Sequence, residues 1–111
     1  MTRLSKKILV VEDEAIIRGS LAKLLERNGY EVSESVSVKA ALNTFNLNEF
    51  DLIISDLRLP GGSGAQLISL AGKVPVIIMT SYASLRSAVD IMRQGAVDYI
   101  SKPFDHEELV H

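Results

Sequence analysis

Asp51-Leu52-Ile53-Ile54-Ser55-Asp56 contains a short apolar run that ends in two polar residues, and this run indicates the class of fold. Similar apolar runs lie before and after it, at Ile8-Leu9-Val10-Val11 and Val76-Ile77-Ile78-Met79. None of the three alternates apolar with polar residues, which is typical of strands buried on both faces of a parallel sheet. Weaker runs at residues 30–32 and 97–100 predict two further strands.

Helical patterns separate these five runs. Apolar stripes with helical spacing predict helices near residues 14–28 and 37–46, a short helix over Gln66–Leu70, and a fourth helix near residues 85–92. Strands that alternate with helices through short connections pair in parallel, with right-handed crossovers. The predicted fold class is therefore α/β, a doubly wound five-stranded parallel sheet between two layers of helices.

The composition excludes several classes of function. The 111 residues include no cysteine, which removes disulfides, thiol catalysis and thiolate zinc sites. The 12 lysines and arginines are scattered along a chain of net charge −2, so we expect no direct contact with nucleic acid. The apolar runs are far shorter than the ~20 residues that cross a bilayer, and no signal peptide is evident. We therefore expect no membrane contact and a cytoplasmic location.

The end of the sequence carries a separate expectation. Asp105 is suited to cap a last helix, but the sequence stops at His111, when that helix has only begun. We expect residues 1–111 to be one domain with a truncated last helix, an N-terminal piece of a longer chain.

Polar side chains follow four of the predicted strands, at the edge where open α/β sheets bind ligands. Glu12 and Asp13 follow the first strand, Asp56 the third, Thr80 the fourth and Lys102 the fifth. Two acids ~4 Å apart repel by ~4 kcal/mol at an effective dielectric constant near 20, so this cluster needs a cation. Oxygen ligands without His or Cys favour Mg²⁺. With Lys102 and Thr80 added, the set predicts a pocket that receives a phosphoryl group on a carboxylate.

Each of these residues also has an ordinary structural interpretation. Glu12 or Asp13 alone would serve as the N-cap of the next helix, and Thr80 as a packing or turn residue. The combination of all five residues favours a functional pocket, because four separate strands bring complementary groups to the same edge of the sheet.

Four segments together carry a family resemblance. They are residues 8–14 (ILVVEDE), 51–61 (DLIISDLRLPG), 76–81 (VIIMTS) and 95–104 (GAVDYISKPF). In this order and at this spacing they resemble the receiver domain of two-component response regulators. The resemblance covers nearly the whole chain and implies a flavodoxin-like sheet with strand order 2-1-3-4-5.

The resemblance implies an acceptor and a metal site. Asp56 matches the aspartate that accepts a phosphoryl group from a phosphohistidine on a sensor histidine kinase. Glu12 and Asp13 match the acidic pair that holds Mg²⁺ together with Asp56 and the backbone carbonyl of Arg58. Glu12 stands where the commonest family pattern has an aspartate.

The family resemblance also implies a group of phosphoryl-binding and switch residues. Thr80 and Lys102 match the residues that bind the phosphoryl oxygens, and Thr80 and Tyr99 match the pair that changes conformation. Pro103 follows Lys102 at a position where the family usually has a cis peptide bond, which would aim the lysine into the pocket.

The implied function is a switch that catalyses its own phosphoryl transfer and slow autohydrolysis, and not a conventional enzyme. The implied partners are a sensor histidine kinase, a C-terminal effector domain in a longer regulator of transcription, and a second copy in a homodimer. The alternatives are a receiver-like interaction module that works without phosphorylation, a Mg²⁺-dependent hydrolase, and a flavin-binding module of the same fold. The acids of residues 12–14 disfavour the last, because they would repel a cofactor phosphate.

Overall fold

The computed structural model describes residues 6–81 and 84–102. All five predicted strands and four predicted helices are present. The strands are β1 (Lys7–Val11), β2 (Glu31–Ser35), β3 (Leu52–Asp56), β4 (Val76–Thr80) and β5 (Asp98–Ser101). The helices are α1 (Ala15–Arg27), α2 (Val38–Thr44), α3 (Gln66–Leu70) and α4 (Leu85–Arg93). The predicted α/β class is confirmed.

The five strands form one parallel sheet with the order β2-β1-β3-β4-β5, as predicted. Val10 in β1 pairs with Glu34 of β2 on one side and with Ile54 of β3 on the other. The chain therefore leaves β1 toward one edge of the sheet and later returns to its other side. In such sheets, the crevice beyond the carboxyl ends of the strands at this reversal is the usual ligand site.

The central strands are buried on both faces. Leu9 packs in one cluster with Ile53 and with Leu67 of α3, whereas Val10 points to the other face and packs with Leu21 of α1. Helices cover both sides, so neither face has to present polar side chains to water. This explains why the apolar runs of β1 and β3 do not alternate.

Two small elements were not predicted. A short antiparallel hairpin pairs Arg58–Leu59 with Gly62–Ser63, and a 3-10 turn spans Leu47–Glu49. Elements of two or three residues are too short to produce a periodic pattern in the sequence.

The truncated last helix and the peptide bond before Pro103 lie outside the described residues, and both expectations stay predictions. Within residues 6–81 and 84–102, no helix combines the length and apolar character that a membrane span requires.

Gly64 closes the hairpin against the end of β3. Its N–H donates to the carbonyl of Leu57 at 2.8 Å. A Cβ atom at this position would overlap the backbone oxygen of Asp56 and the Oγ of Ser55. The hairpin can approach the end of β3 this closely because residue 64 has no side chain.

We expect Gly64→Ala to lower the free energy of unfolding by about 2 kcal/mol, since backbone atoms must move to admit the methyl group. Urea denaturation measures the change. The matched control is Gly19→Ala in α1, where an added Cβ meets nothing within 4 Å. That substitution should raise stability by about 0.5 to 1 kcal/mol, because glycine is a poor helix former. Equal effects of the two substitutions would contradict the close-approach argument.

Candidate functional site

The candidate site lies where the carboxyl ends of the strands meet. Glu12 follows β1, Asp56 ends β3, Thr80 ends β4 and Lys102 follows β5. Backbone pairing continues past the strand ends, because the N–H of Lys102 donates to the Thr80 carbonyl at 2.8 Å and that of Glu12 to the Ser35 carbonyl at 2.9 Å. The sheet thus brings together side chains that are up to 90 positions apart in sequence.

The centre of the site is an ammonium group between two carboxylates. The Nζ of Lys102 lies 2.7 Å from Oε1 of Glu12 and 3.1 Å from Oδ2 of Asp56. The Lys102 and Asp56 side chains are 7% and 10% exposed, and that of Glu12 is fully buried. Such short, largely buried contacts are stronger than ion pairs in water, because few solvent molecules screen them.

Burial raises the pKa of the Glu12 carboxyl above its ordinary value, since the charged form loses hydration. The hydrogen bonds from Lys102 and from the N–H of Glu14, which lies 3.1 Å from Oε2 of Glu12, oppose this rise. The neighbouring carboxyls of Asp13 and Asp56 add to it. The charge on Glu12 therefore depends on the donors that surround it.

Lys102 responds in the opposite way. Burial alone would lower the pKa of its ammonium group, but the hydrogen bonds to Glu12 and Asp56 and their charges outweigh burial and raise the pKa above its ordinary value. Lys102 is therefore a fixed positive charge at neutral pH.

The carboxylates of Glu12, Asp13 and Asp56 form a cluster with the chemistry of a cation site. Each offers an oxygen, and these oxygens lie within 4.8 Å of one another. Asp13 is exposed, so the cluster opens to solvent on that side. Lys102 balances one of three potential negative charges, and an oxygen-only donor set suits a hard divalent ion. The residues present therefore fit a divalent metal and could hold one.

The structure also describes three other predicted site residues, Thr80, Tyr99 and Arg58. Thr80 is buried at the end of β4, and its neighbour across the sheet is Ser101. Tyr99 is half-buried on β5, and its hydroxyl donates to Oγ of Ser87 on α4 at 2.9 Å. Arg58 is exposed at the start of the hairpin, two positions after Asp56. The structure thus places Tyr99 against α4, and not among the carboxylates.

Sequence reasoning missed two residues that contact the predicted set. Arg18 donates from Nη1 to the carbonyl of Glu12 at 2.8 Å, and Ser87 is the partner of Tyr99. Both are polar residues inside predicted helices, where a solvent-facing position is the simplest expectation. The feature that could have pointed to both residues is their position: each lies in the first turn of a helix that begins at the carboxyl edge of the sheet.

A doubly wound sheet with a carboxylate cluster and a facing lysine at its switch point defines a receiver-type α/β domain. The chain belongs to the response regulator receiver domain family, whose sequence profile matches residues 8–111. The family resemblance and the flavodoxin-like strand order expected from it are confirmed.

Known proteins similar to this chain include a transcriptional regulatory protein and a receiver domain protein of known structure. The phosphate regulon transcriptional regulatory protein PhoB of Escherichia coli K12 is 41% identical over 113 residues, which cover 96% of this chain and 49% of PhoB. A receiver domain structure from Clostridium thermocellum is 34% identical with a TM-score of 0.84, covering 94% of this chain and 87% of that one.

A third similar protein is a response regulator from Burkholderia pseudomallei, whose crystal structure has a phosphorylated aspartic acid, a calcium ion and citrate. It is 33% identical with a TM-score of 0.82, covering 94% of this chain and 64% of that one. The chain spans between about a quarter and about half of the length of the curated relatives PhoB and FleR.

Because the Lys102 ammonium contacts the carboxylates of both Glu12 and Asp56, we expect Lys102→Met to lose stability in a pH-dependent way. The pKa of Glu12 is already raised in the folded protein, so folding favours its protonated form. Without the ammonium this pKa should rise further, so the loss of stability relative to the wild type should grow as pH rises past the pKa of Glu12 in the folded wild-type protein. We expect a loss of about 3 kcal/mol near neutral pH and a smaller one near pH 4 to 5.

Urea denaturation at both pH values measures this difference. The control is Lys23→Met on the exposed face of α1, which should change stability by less than about 0.5 kcal/mol at either pH. A pH-independent loss in Lys102→Met would contradict the electrostatic account of the pocket.

Proposed function

We propose that this chain is a phosphorylation-dependent switch that accepts a phosphoryl group on Asp56 from a sensor histidine kinase in the presence of Mg²⁺. The observation that carries the proposal is the position of Asp56 at the sheet crevice, where its carboxylate lies 3.1 Å from the ammonium of Lys102 and within 4.8 Å of the oxygens of the acidic pair. Membership of the receiver family supports the same assignment.

The proposed transfer needs little covalent chemistry from the protein. An oxygen of Asp56 attacks the phosphorus, the bond from phosphorus to the donor imidazole nitrogen breaks, and the electron pair stays on that nitrogen. Lys102 supplies positive charge beside the attacking carboxylate and the incoming oxygens. Mg²⁺ held by Glu12, Asp13, Asp56 and the Arg58 carbonyl would neutralise further charge on the phosphoryl group.

The proposed response begins at Thr80. The phosphoryl group adds negative charge next to the end of β4, and the Thr80 hydroxyl donates a charge-assisted hydrogen bond to it. Tyr99 then moves into the space that Thr80 leaves, which breaks its 2.9 Å hydrogen bond to Ser87 and alters the contact between β5 and α4. Hydrolysis of the acyl phosphate restores the first state.

The proposed biological setting follows from the length of the relatives. PhoB is a transcriptional regulatory protein, and this chain covers 49% of it. We infer that residues 1–111 belong to a longer regulator, in which a C-terminal effector domain acts on transcription and a homodimer forms through the receiver. The cytoplasmic location expected from the sequence stays a prediction.

We expect one phosphoryl group to be added when the protein is incubated with a small-molecule phosphodonor and Mg²⁺. The added group should be labile to base, as an acyl phosphate is, and intact-mass spectrometry measures it. Asp56→Asn should abolish the addition, because an amide is a poor nucleophile. The matched control, Asp90→Asn on the exposed face of α4, should react like the wild type.

The outcome separates the candidate functions. A wild-type protein that takes up no phosphoryl group would favour the phosphorylation-independent module, and flavin absorbance in the purified protein would favour the flavin-binding one. Persistence of the modification in Asp56→Asn would move the acceptor to another residue.

Magnesium should raise the melting temperature of the wild-type protein, because an ion that binds only the folded state stabilises it. Asp13→Asn should remove most of this rise, since it deletes one carboxylate of the cluster. Differential scanning fluorimetry across a Mg²⁺ titration measures the effect, with Asp90→Asn again as the control. Chelation with EDTA should also prevent phosphoryl addition to the wild type. A rise of the same size in Asp13→Asn would exclude that carboxylate as a metal ligand.

A further inference from the structure

The turn that carries the acidic pair is held at three points. The N–H of Glu12 donates to the Ser35 carbonyl at 2.9 Å, and the N–H of Glu14 donates to Oε2 of Glu12 at 3.1 Å. The third contact comes from Arg18, whose Nη1 donates to the Glu12 carbonyl at 2.8 Å. Asp13 lies between these held groups, so the turn determines where its carboxylate points.

Arg18 is the contact that links this turn to the rest of the fold. Its backbone N–H donates to the Glu14 carbonyl at 2.9 Å, within the first turn of α1. Its Nε lies 3.3 Å from Oε1 of Glu34 on β2. A planar guanidinium can make both side-chain contacts at once, which a lysine cannot reproduce in the same geometry. Arg18 thus joins helix α1, strand β2 and the turn after β1.

The two contacts of the guanidinium differ in importance. The Glu34 side chain is 44% exposed, and ion pairs of this kind contribute little. The Glu12 carbonyl belongs to a fully buried residue, and Arg18 itself is only 19% exposed. The hydrogen bond to this carbonyl is therefore the contact whose loss should disturb the turn.

We propose that Arg18 is a positioning residue for the acidic pair, and that it keeps Asp13 close to Glu12 and Asp56 in the geometry that receives a divalent cation. The inference rests on the proposed function of the cluster. Arg18 touches no reacting atom and acts through the backbone of Glu12. Removal of groups that orient metal ligands typically weakens metal binding by about 10- to 100-fold.

The test compares Arg18→Met with Arg27→Met, an arginine of the same helix whose Nε contact, at 3.5 Å to the Lys23 carbonyl, is exposed. The first measurement is amide hydrogen exchange of Glu14 in metal-free protein, where we expect protection to fall about tenfold in Arg18→Met only. The second is Mg²⁺ affinity from an NMR titration, where we expect the dissociation constant to rise about tenfold. At saturating Mg²⁺, phosphoryl addition should return to the wild-type level.

Two further variants keep the test decisive if Arg18→Met folds poorly. Glu34→Gln should change Mg²⁺ affinity by less than about twofold, because it leaves the bond to the Glu12 carbonyl in place. The Mg²⁺ affinity of Arg18→Lys should lie between those of the wild type and Arg18→Met, since an ammonium group cannot reproduce the planar guanidinium geometry and makes a weaker contact with that carbonyl.

Wild-type Glu14 protection and wild-type Mg²⁺ affinity in Arg18→Met would overturn the inference. So would a loss of protection with no change in affinity, because the turn would then have no bearing on the carboxylates. An effect of Glu34→Gln as large as that of Arg18→Met would overturn the assignment to the carbonyl contact. Failure of the proposed function is seen separately, as a wild-type protein that binds no Mg²⁺ or takes up no phosphoryl group.

Discussion

The ammonium of Lys102 lies 2.7 Å from the carboxylate of Glu12 and 3.1 Å from that of Asp56, and its charge makes it possible to bury both acids. Glu12 is buried and Asp56 nearly so, and two carboxylates in such a place are tolerated only with a compensating charge within hydrogen-bond reach. That charge arrives on the edge strand β5, whereas the acids arrive on the central strands β1 and β3. The pocket therefore exists only when the sheet is complete, which ties the chemistry of the site to the assembly of the whole fold.

The compensation is incomplete, and this leaves the site able to respond. One ammonium faces the carboxylates of Glu12, Asp13 and Asp56, so the pocket retains an attraction for further positive charge. A phosphoryl group on Asp56 would compete with Glu12 for the same lysine, because both would present anionic oxygens to it. The balance of charge in the pocket would therefore change with phosphorylation of Asp56, without any need for new residues to enter.

The sequence was most informative where burial and strand ends act together. The runs of β1 and β3 are apolar on both faces, and a weaker run predicted β5. The residues that follow parallel strands had to lie at one edge of the sheet, so Glu12, Asp56 and Lys102 could be predicted to meet. The contact of Arg18 with the Glu12 carbonyl and that of Tyr99 with Ser87 could not, because they depend on how each helix is rotated against the sheet. Apolar spacing gives the buried face of a helix, but not the reach of one polar side chain.

The two sides of the pocket also differ in how firmly they are held, which suits a switch. The turn after β1 is fixed by several hydrogen bonds, and α1 behind it buries four residues. On the other side, α4 buries one residue, Ile91, and exposes large apolar side chains such as Leu85 and Met92. Elements with few buried contacts are the first to move when a neighbouring interaction changes. Phosphoryl chemistry needs fixed carboxylates, whereas signalling needs a movable surface. The hydrogen bond between the hydroxyls of Tyr99 and Ser87 is a suitable link from β5 to α4, because a bond between neutral groups can be broken at a cost of only about 1 kcal/mol.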